Sequence, residues 1–389
     1  MNYIIEQDKE WIDTVWDKMD KKLRYTAVKN RDKLPFESIN GVYSDEKEER
    51  ITWWTNGFWG GIMWLMYEAT GNEEYRKTAE RSEEILDGAF KEYKMLHHDV
   101  GFMWQLTSCA GYRLLGKKDS CNRSLIAAAS LSSRYNLDGD YIRAWNGTSY
   151  TKDPREAAGF TIIDCLMNLA LLYWASEEIE DERFKKIAMR HMDMAIRDHI
   201  RPDGSVYHIV CHEVNQVGVR KVFAGQSYSE DSCWSRGLAW AVYGSVISYI
   251  HTGKAEYKEA FKKTSAYFLE QCRKTEYLPL IDFCAPSEPV YYDSSAGLCV
   301  ACALLEMAKH VLLEEARYYT QEALKLLKVC DEKCCNYDLG EDALVTMCGR
   351  RYPKNDKEVE QYTNKNIIFG DFFFVEAMCK LKGRDFFIW

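Results

Sequence analysis

SCWSRGLAWAVYGSVISYIHTGKAEYKEAFKKTSAYFL, residues 232–269, carries two helices of opposite character in one run. From Gly237 to Ile250 no charged residue occurs, and small and apolar side chains occupy every side of the helical wheel. A helix that is apolar all round must be covered all round. Beyond Thr252-Gly253 the pattern changes. Glu256, Lys258, Glu259, Lys262 and Lys263 polarise one face, and Tyr257, Phe261, Phe268 and Leu269 fill the other. That is a helix with one face in water. The run therefore reads as an inner helix, a tight turn and an outer helix.

The same turn recurs in TGNEEYRKTAERSEEIL from Thr70, beside TGKAEYKEAFKKTSAYFL from Thr252, a weak internal repeat of one helical-hairpin unit. Periodicity predicts outer helices at roughly 4–23, 73–93, 118–135, 181–199, 254–273 and 313–331. It predicts inner helices at roughly 56–70, 101–116, 159–176, 232–251, 293–310 and 369–383. Six of each make six hairpins. An open solenoid would need polar caps at its ends, whereas a closed ring buries every inner helix. The fold class read from the chain is all-α, an (α/α)6 barrel, with residues 1–389 as a single catalytic domain. Few prolines and no sustained strand alternation agree with it.

Each inner helix is entered through a segment dense in aromatic and polar residues: WWTNGFW at 53–59, HHDVGF at 97–102, GFTIID at 159–164, SEDSCWSRGLAW at 229–240, YYDSSAG at 291–297 and IIFGDFFF at 367–374. In a toroid these six entrances meet at one mouth.

A net charge of −9 disfavours nucleic acid as a partner, since its binding needs a basic surface. No apolar run is long enough to cross a bilayer, and the N-terminal MNYIIEQDKEWIDTVWDKMDKKL reads as an amphipathic helix without the pattern of a secretory signal. A cytoplasmic location is expected. The fourteen cysteines are scattered through helical patterns and read as reduced, mostly buried thiols. With no CxxC pair or HExxH at zinc-site spacing, neither a metal nor a cofactor is expected. Twelve tryptophans, 25 tyrosines and 16 phenylalanines fill the core and leave flat rings for stacking on sugars.

Asp164 lies in the first turns of an otherwise apolar inner helix, with Asn168 four residues on and on the same face. Capping is the plain reading of a carboxylate there, but Thr161 is closer to the start and Asp164 sits between Ile163 and Cys165. Asp99, before Gly101, has a cap's position too. Should the two carboxylates converge in a dry pocket, one is expected to hold a proton while the other stays charged. Arg236 and Trp240, four apart, share a face, and His208 and Gln226 come from the preceding loops. Together these can grip a carboxylate and stack on a ring, although Arg236 could instead pair with Asp231 or Glu230. Asp293 or Ser294 reads as a helix cap, because no nucleophile-elbow glycines surround the serines.

Taken together, HHDVGFMW at 97–104, IIDCLMNL at 162–169, and DGSVYH at 203–208 with Gln226 and DSCWSRGLAW at 231–240 resemble the family 88 glycoside hydrolases, the unsaturated glucuronyl hydrolases. DSSAG and FGDFFFVEA are similar to the family's C-terminal part, so the likeness runs from about Trp53 to Phe374. The resemblance implies that Asp164 is the general acid and base and that Asp99 orients substrate and tunes it. It implies that His208, Gln226, Arg236 and Trp240 line the site of the unsaturated sugar, with Trp54 and Trp145 as stacking walls. The implied reaction releases a 4,5-unsaturated uronic acid from lyase-generated oligosaccharides of glycosaminoglycan type by hydrating the C4=C5 vinyl ether. Segments 209–224 and 349–366 match poorly and leave the aglycone open. An unsaturated rhamnogalacturonyl hydrolase on the same barrel is the neighbouring reading. A sugar epimerase would want paired histidine bases, and a sugar-binding protein would not need both Asp99 and Asp164.

Overall fold

The computed structural model describes residues 7–147, 149–150 and 154–389. The first residues of the first expected helix lie outside them. Six outer helices run over Lys9–Lys29, Glu73–Leu86, Lys118–Ser132, Glu182–Asp198, Ala255–Arg273 and Leu313–Cys334. The inner ring is made of Phe58–Thr70, Val100–Leu115, Cys165–Glu178, Ser235–Thr252, Ser294–Met307 and Ile368–Leu381, the second and third of these being interrupted. Each inner helix packs on the two neighbouring inner elements, and Ile368–Leu381 packs on Phe58–Thr70, which closes the ring. The first outer helix pairs with the last inner one, so both ends of the chain are drawn into one (α/α)6 barrel.

The repeated turns are built alike. Thr70 donates to the Met66 carbonyl and Thr252 to the Ser248 carbonyl, both at 2.6 Å, and each hydroxyl accepts the N–H two residues on at 3.2 Å. The next residue in each turn ends the inner helix in left-handed geometry, at Gly71 and Gly253. Every residue of Ser235–Ser248 is buried, as its all-round apolarity requires.

Two departures from the sequence reading matter for the site. Residues 160–162, expected to open an inner helix, form a strand instead, paired with Ile209–His212, which pairs in turn with Val219–Phe223. Phe160, Thr161 and Ile162 are β-branched or aromatic, and the long loop from 200 supplies them a partner. The second inner helix passes through a π-turn at Gln105–Cys109. Short antiparallel pairs also join Ser38–Ile39 to Val42–Tyr43 and Tyr135–Asn136 to Tyr141–Ile142.

Candidate active site

The strand at 160–162 decides where Asp164 sits. Its register pairs Ile162 with Ile209, and the next N–H, of Ile163, donates to the His208 carbonyl at 3.1 Å. Asp164 and His208 are thereby adjacent across the end of the sheet, and His208 Nε2 lies 3.6 Å from Asp164 Oδ1. The Gln226 N–H reaches His208 Nδ1 at 3.0 Å, and the Ala224 carbonyl stands 3.2 Å from the same nitrogen, so the ring is held on its far edge and turns Nε2 toward Asp164. Gly225 permits this approach: a Cβ there would stand 2.3 Å from His208 Nδ1.

Neither aspartate is a cap. Asp164 and Asp99 both stand at helix N-cap positions, and neither side chain accepts a capping hydrogen bond. Asp164 Oδ1 is buried with no hydrogen-bond partner among the described residues. Asp99 lies among three polar side chains. Asn168 Nδ2 donates to its Oδ1 at 3.1 Å, and His97 Nδ1 and His98 Nε2 face its Oδ2 at 3.3 and 3.4 Å. Burial works against the charge on Asp99, but the adjacent imidazoles of His98 and His97 and the hydrogen bond from Asn168 outweigh it, and its carboxyl is held below the ordinary aspartate value. Burial also presses His98 down to about 4, against the pull of Asp99. Asp99 is thus held in its charged form.

Asn168 ties the two aspartates together. Its Nδ2 also reaches the Asp164 carbonyl at 3.2 Å, and its Oδ1 accepts the Phe102 N–H at 2.7 Å. A Cβ on Gly101 would lie 2.5 Å from Asn168 Oδ1, so the second inner element can approach the third this closely only with glycine there.

Beside this cluster, reached through Gln226, opens a cavity lined by Phe36, Trp53, Trp54, Gln226, Arg236, Arg350, Arg351, Tyr362 and Phe369. Trp54, half-buried, stacks on Phe369 at 5.4 Å. Gln226 joins cavity to cluster: its N–H holds His208, and its Nε2 donates to the Arg350 carbonyl at 2.7 Å.

Of the expected site residues, Trp54, Gln226 and Arg236 line this cavity, and Asp99, Asp164, His208, Trp240 and Trp145 are not in its lining. Three of them differ further from expectation. Trp240 has no exposed surface and packs against Trp54, Phe102 and Phe373, so it supports the floor from behind and cannot stack on a sugar. Trp145 is not in the cavity lining and belongs to a small apolar cluster with Ala144, Phe160, Ile162 and Phe223 along the three-stranded sheet. Arg236 pairs with neither Asp231 nor Glu230. It ion-pairs with the buried Asp293, donates to the carbonyls of Gly349 and Arg350, and is sandwiched between Trp234 and Phe369 at 4.5 and 4.7 Å. Asp293 in turn caps its own helix through the Ser295 N–H at 3.2 Å.

Sequence reasoning missed Arg350 and Arg351. Arg236 and Gln226 clasp the backbone of 349–350 and so bring both guanidinium groups into the cavity wall. The adjacent arginines of GRRYP at 349–353, in an acidic chain, were the available signal.

No family model matches the chain. Over 334 residues it is 32% identical to the unsaturated glucuronyl hydrolase of Bacillus sp. (strain GL1), covering 85% of this chain and 86% of the relative. The chain belongs to the unsaturated glucuronyl hydrolase family. It is likewise 32% identical to an unsaturated chondroitin disaccharide hydrolase of Streptococcus pyogenes serotype M1, covering 85% of this chain and 81% of that one. The crystal structure of the Bacillus sp. GL1 unsaturated glucuronyl hydrolase superposes with a TM-score of 0.84 at 27% identity, covering 95% of this chain and 96% of that one. Family membership makes this chain a glycosidase, with the barrel mouth as the place to look for its chemistry.

Proposed function

We propose that this protein removes the 4,5-unsaturated uronic acid from the non-reducing end of lyase-generated, glycosaminoglycan-type oligosaccharides, with Asp164 as general acid and base. The observation that carries the reading is the buried Oδ1 of Asp164, without a hydrogen-bond partner among the described residues, joined to Asp99 through Asn168 and 3.6 Å from His208 Nε2. A carboxyl oxygen without a hydrogen-bond partner is available to a substrate atom. Asp164 gives its proton to C4 of the vinyl ether, positive charge develops at C5 and the ring oxygen, and the resulting carboxylate takes a proton from the water that adds at C5. The hemiketal so formed opens and expels the aglycone. No glycosyl-enzyme forms, so the separation of two carboxylates does not govern the stereochemistry as it does in ordinary glycosidases.

Asp99 orients substrate and adds negative charge where cationic character develops. Arg350 and Arg351 in the cavity wall, each also facing a carboxylate (Glu37 and Glu358), offer guanidinium groups that an acidic substrate can engage on a chain of net charge −9. A cytoplasmic location is part of the same proposal. None of the fourteen cysteines forms a disulfide, and eleven are buried, as suits a reducing compartment.

The test is turnover of a panel of unsaturated disaccharides, derived from chondroitin, hyaluronan and pectin, followed by loss of the ultraviolet absorption of the double bond. In oxygen-18 water the label should enter first at C5. Label at the anomeric carbon would mean ordinary glycosidic hydrolysis and would end the proposed mechanism.

A further inference from the structure

His97, His98 and Asp99 bring three donor atoms, Nδ1, Nε2 and a carboxylate oxygen, within 4.8 Å of one another. His97 Nδ1 and His98 Nε2 stand 3.3 and 3.4 Å from the same Asp99 Oδ2. Two ligands each about 2.0–2.1 Å from a tetrahedral zinc ion lie roughly 3.3–3.4 Å apart, so two edges of such a site already have the right length.

The hydrogen bonding around these residues suits a metal better than it suits the histidines. His98 has no exposed surface, yet neither of its ring nitrogens has a hydrogen-bond partner among the described residues, a costly state for a buried imidazole. His97 Nδ1 accepts only a long 3.4 Å contact from the Asp99 N–H. Asp99 Oδ1 is held by Asn168, which fixes the carboxylate and leaves Oδ2 for the metal, as an outer partner does in metal sites. Arg134, the opposing cation, directs its guanidinium onto the carbonyls of Leu96, Arg143 and Ala144. The partly exposed His97 offers entry.

We propose that His97, His98 and Asp99 form a binding site for a divalent transition cation, zinc above all, whose occupancy takes Asp99 away from substrate and reversibly silences the enzyme. Two imidazoles and one carboxylate favour zinc, nickel or copper over magnesium or calcium. The inhibitory consequence rests on the proposed role of Asp99, whereas the site itself does not.

The experiment titrates the chelator-treated full chain with zinc chloride by calorimetry and with cobalt(II), whose four-coordinate complexes absorb strongly in the visible. One zinc per chain, a four-coordinate cobalt spectrum, and inhibition reversed by a chelator are expected. His97→Ala, at a partly exposed position, should weaken both binding signals by roughly tenfold or more. Asp99→Asn, which keeps the size and removes the charge, should do the same. Zinc that binds His97→Ala as tightly as the parent belongs to thiols such as the exposed Cys284 and would overturn the site, as would the absence of binding. Zinc bound here that leaves turnover unchanged would overturn the inhibition. The cobalt spectrum needs no turnover, so the site can be judged even if the proposed substrates are not cleaved.

Discussion

The carboxamide of Asn168 donates to Asp99 Oδ1 at 3.1 Å while its own oxygen accepts the Phe102 N–H at 2.7 Å. One buried side chain thus fixes the rotamer of Asp99 and the packing of the element that carries it. Asn168→Ala removes the donor and leaves the Phe102 N–H unmet. We expect kcat/KM to fall by about 10- to 100-fold, a loss of the kind seen when an outer partner of a functional group is removed. Measuring kcat and KM separately, with a thermal melt to show that the barrel persists, checks this. A variant with full activity and an unchanged melt would show that Asp99 holds its position unaided.

Asp164→Asn keeps the size of the side chain and cannot cycle a proton. Turnover should fall by roughly 100-fold or more, the usual loss on removing general acid–base catalysis, with the fold preserved. Steady-state kinetics of the ultraviolet signal give the result, and near-parental activity would take the acid role away from Asp164.

Trp54 and Trp240 should separate cleanly. Trp54 is half-buried in the cavity wall, so Trp54→Ala should raise KM more than it lowers kcat. Trp240 is buried behind it, and Trp240→Ala should act on stability, by about 3–5 kcal/mol as large core truncations do. Chemical denaturation alongside kinetics distinguishes the two. A pure KM effect at Trp240 with undiminished stability would contradict its place beneath the floor.

Arg236→Ala leaves the buried Asp293 without its ion-pair partner. Removing one partner of a buried pair costs about 3–5 kcal/mol, so this variant should unfold at markedly lower denaturant. An activity loss at parental stability would mean that the guanidinium serves substrate more than structure.

Acid should weaken the fold through its buried imidazoles. Burial depresses His199 to about 3 and His212 to about 4, the latter against the nearby Asp198, and His98 to about 4, all from an ordinary 6.5. Thr161 lies between His199 and His212, at 2.8 and 3.0 Å from their Nε2 atoms, on the strand leading to Asp164. With pKa values depressed in the folded state, the unfolded chain binds more protons between about pH 4 and 6.5, so stability rises with pH through that window. It should be fully present above about 6.5 and lost progressively toward 4. Thermal melts across pH 4 to 8 test the sign, and a His212→Gln variant should flatten the slope.

The barrel could be read from the chain because the alternation of all-round apolar helices with one-faced ones is a local property of composition and period, and only a closed ring buries all of the former. The repeated Thr-Gly turns carried the hairpin unit in the same way. Asp99 and Asp164 stood out as carboxylates in apolar helix starts, and Arg236 as an isolated charge at the head of one. Their use depended on contacts far apart in sequence. Residues 160–162 became a strand because the loop at 209–212 pairs with them, and no single segment records a partner some 50 residues away. That pairing brings His208 to Asp164. Arg236 turned to Asp293 and the backbone of 349–350 because a buried guanidinium needs acceptors, and those come from two other elements. Trp240 went under the floor because four-residue spacing fixes which helix face a side chain shares and says nothing about what lies above it. Helical period and burial are set residue by residue along the chain; which donor meets which acceptor is set only when the ring closes.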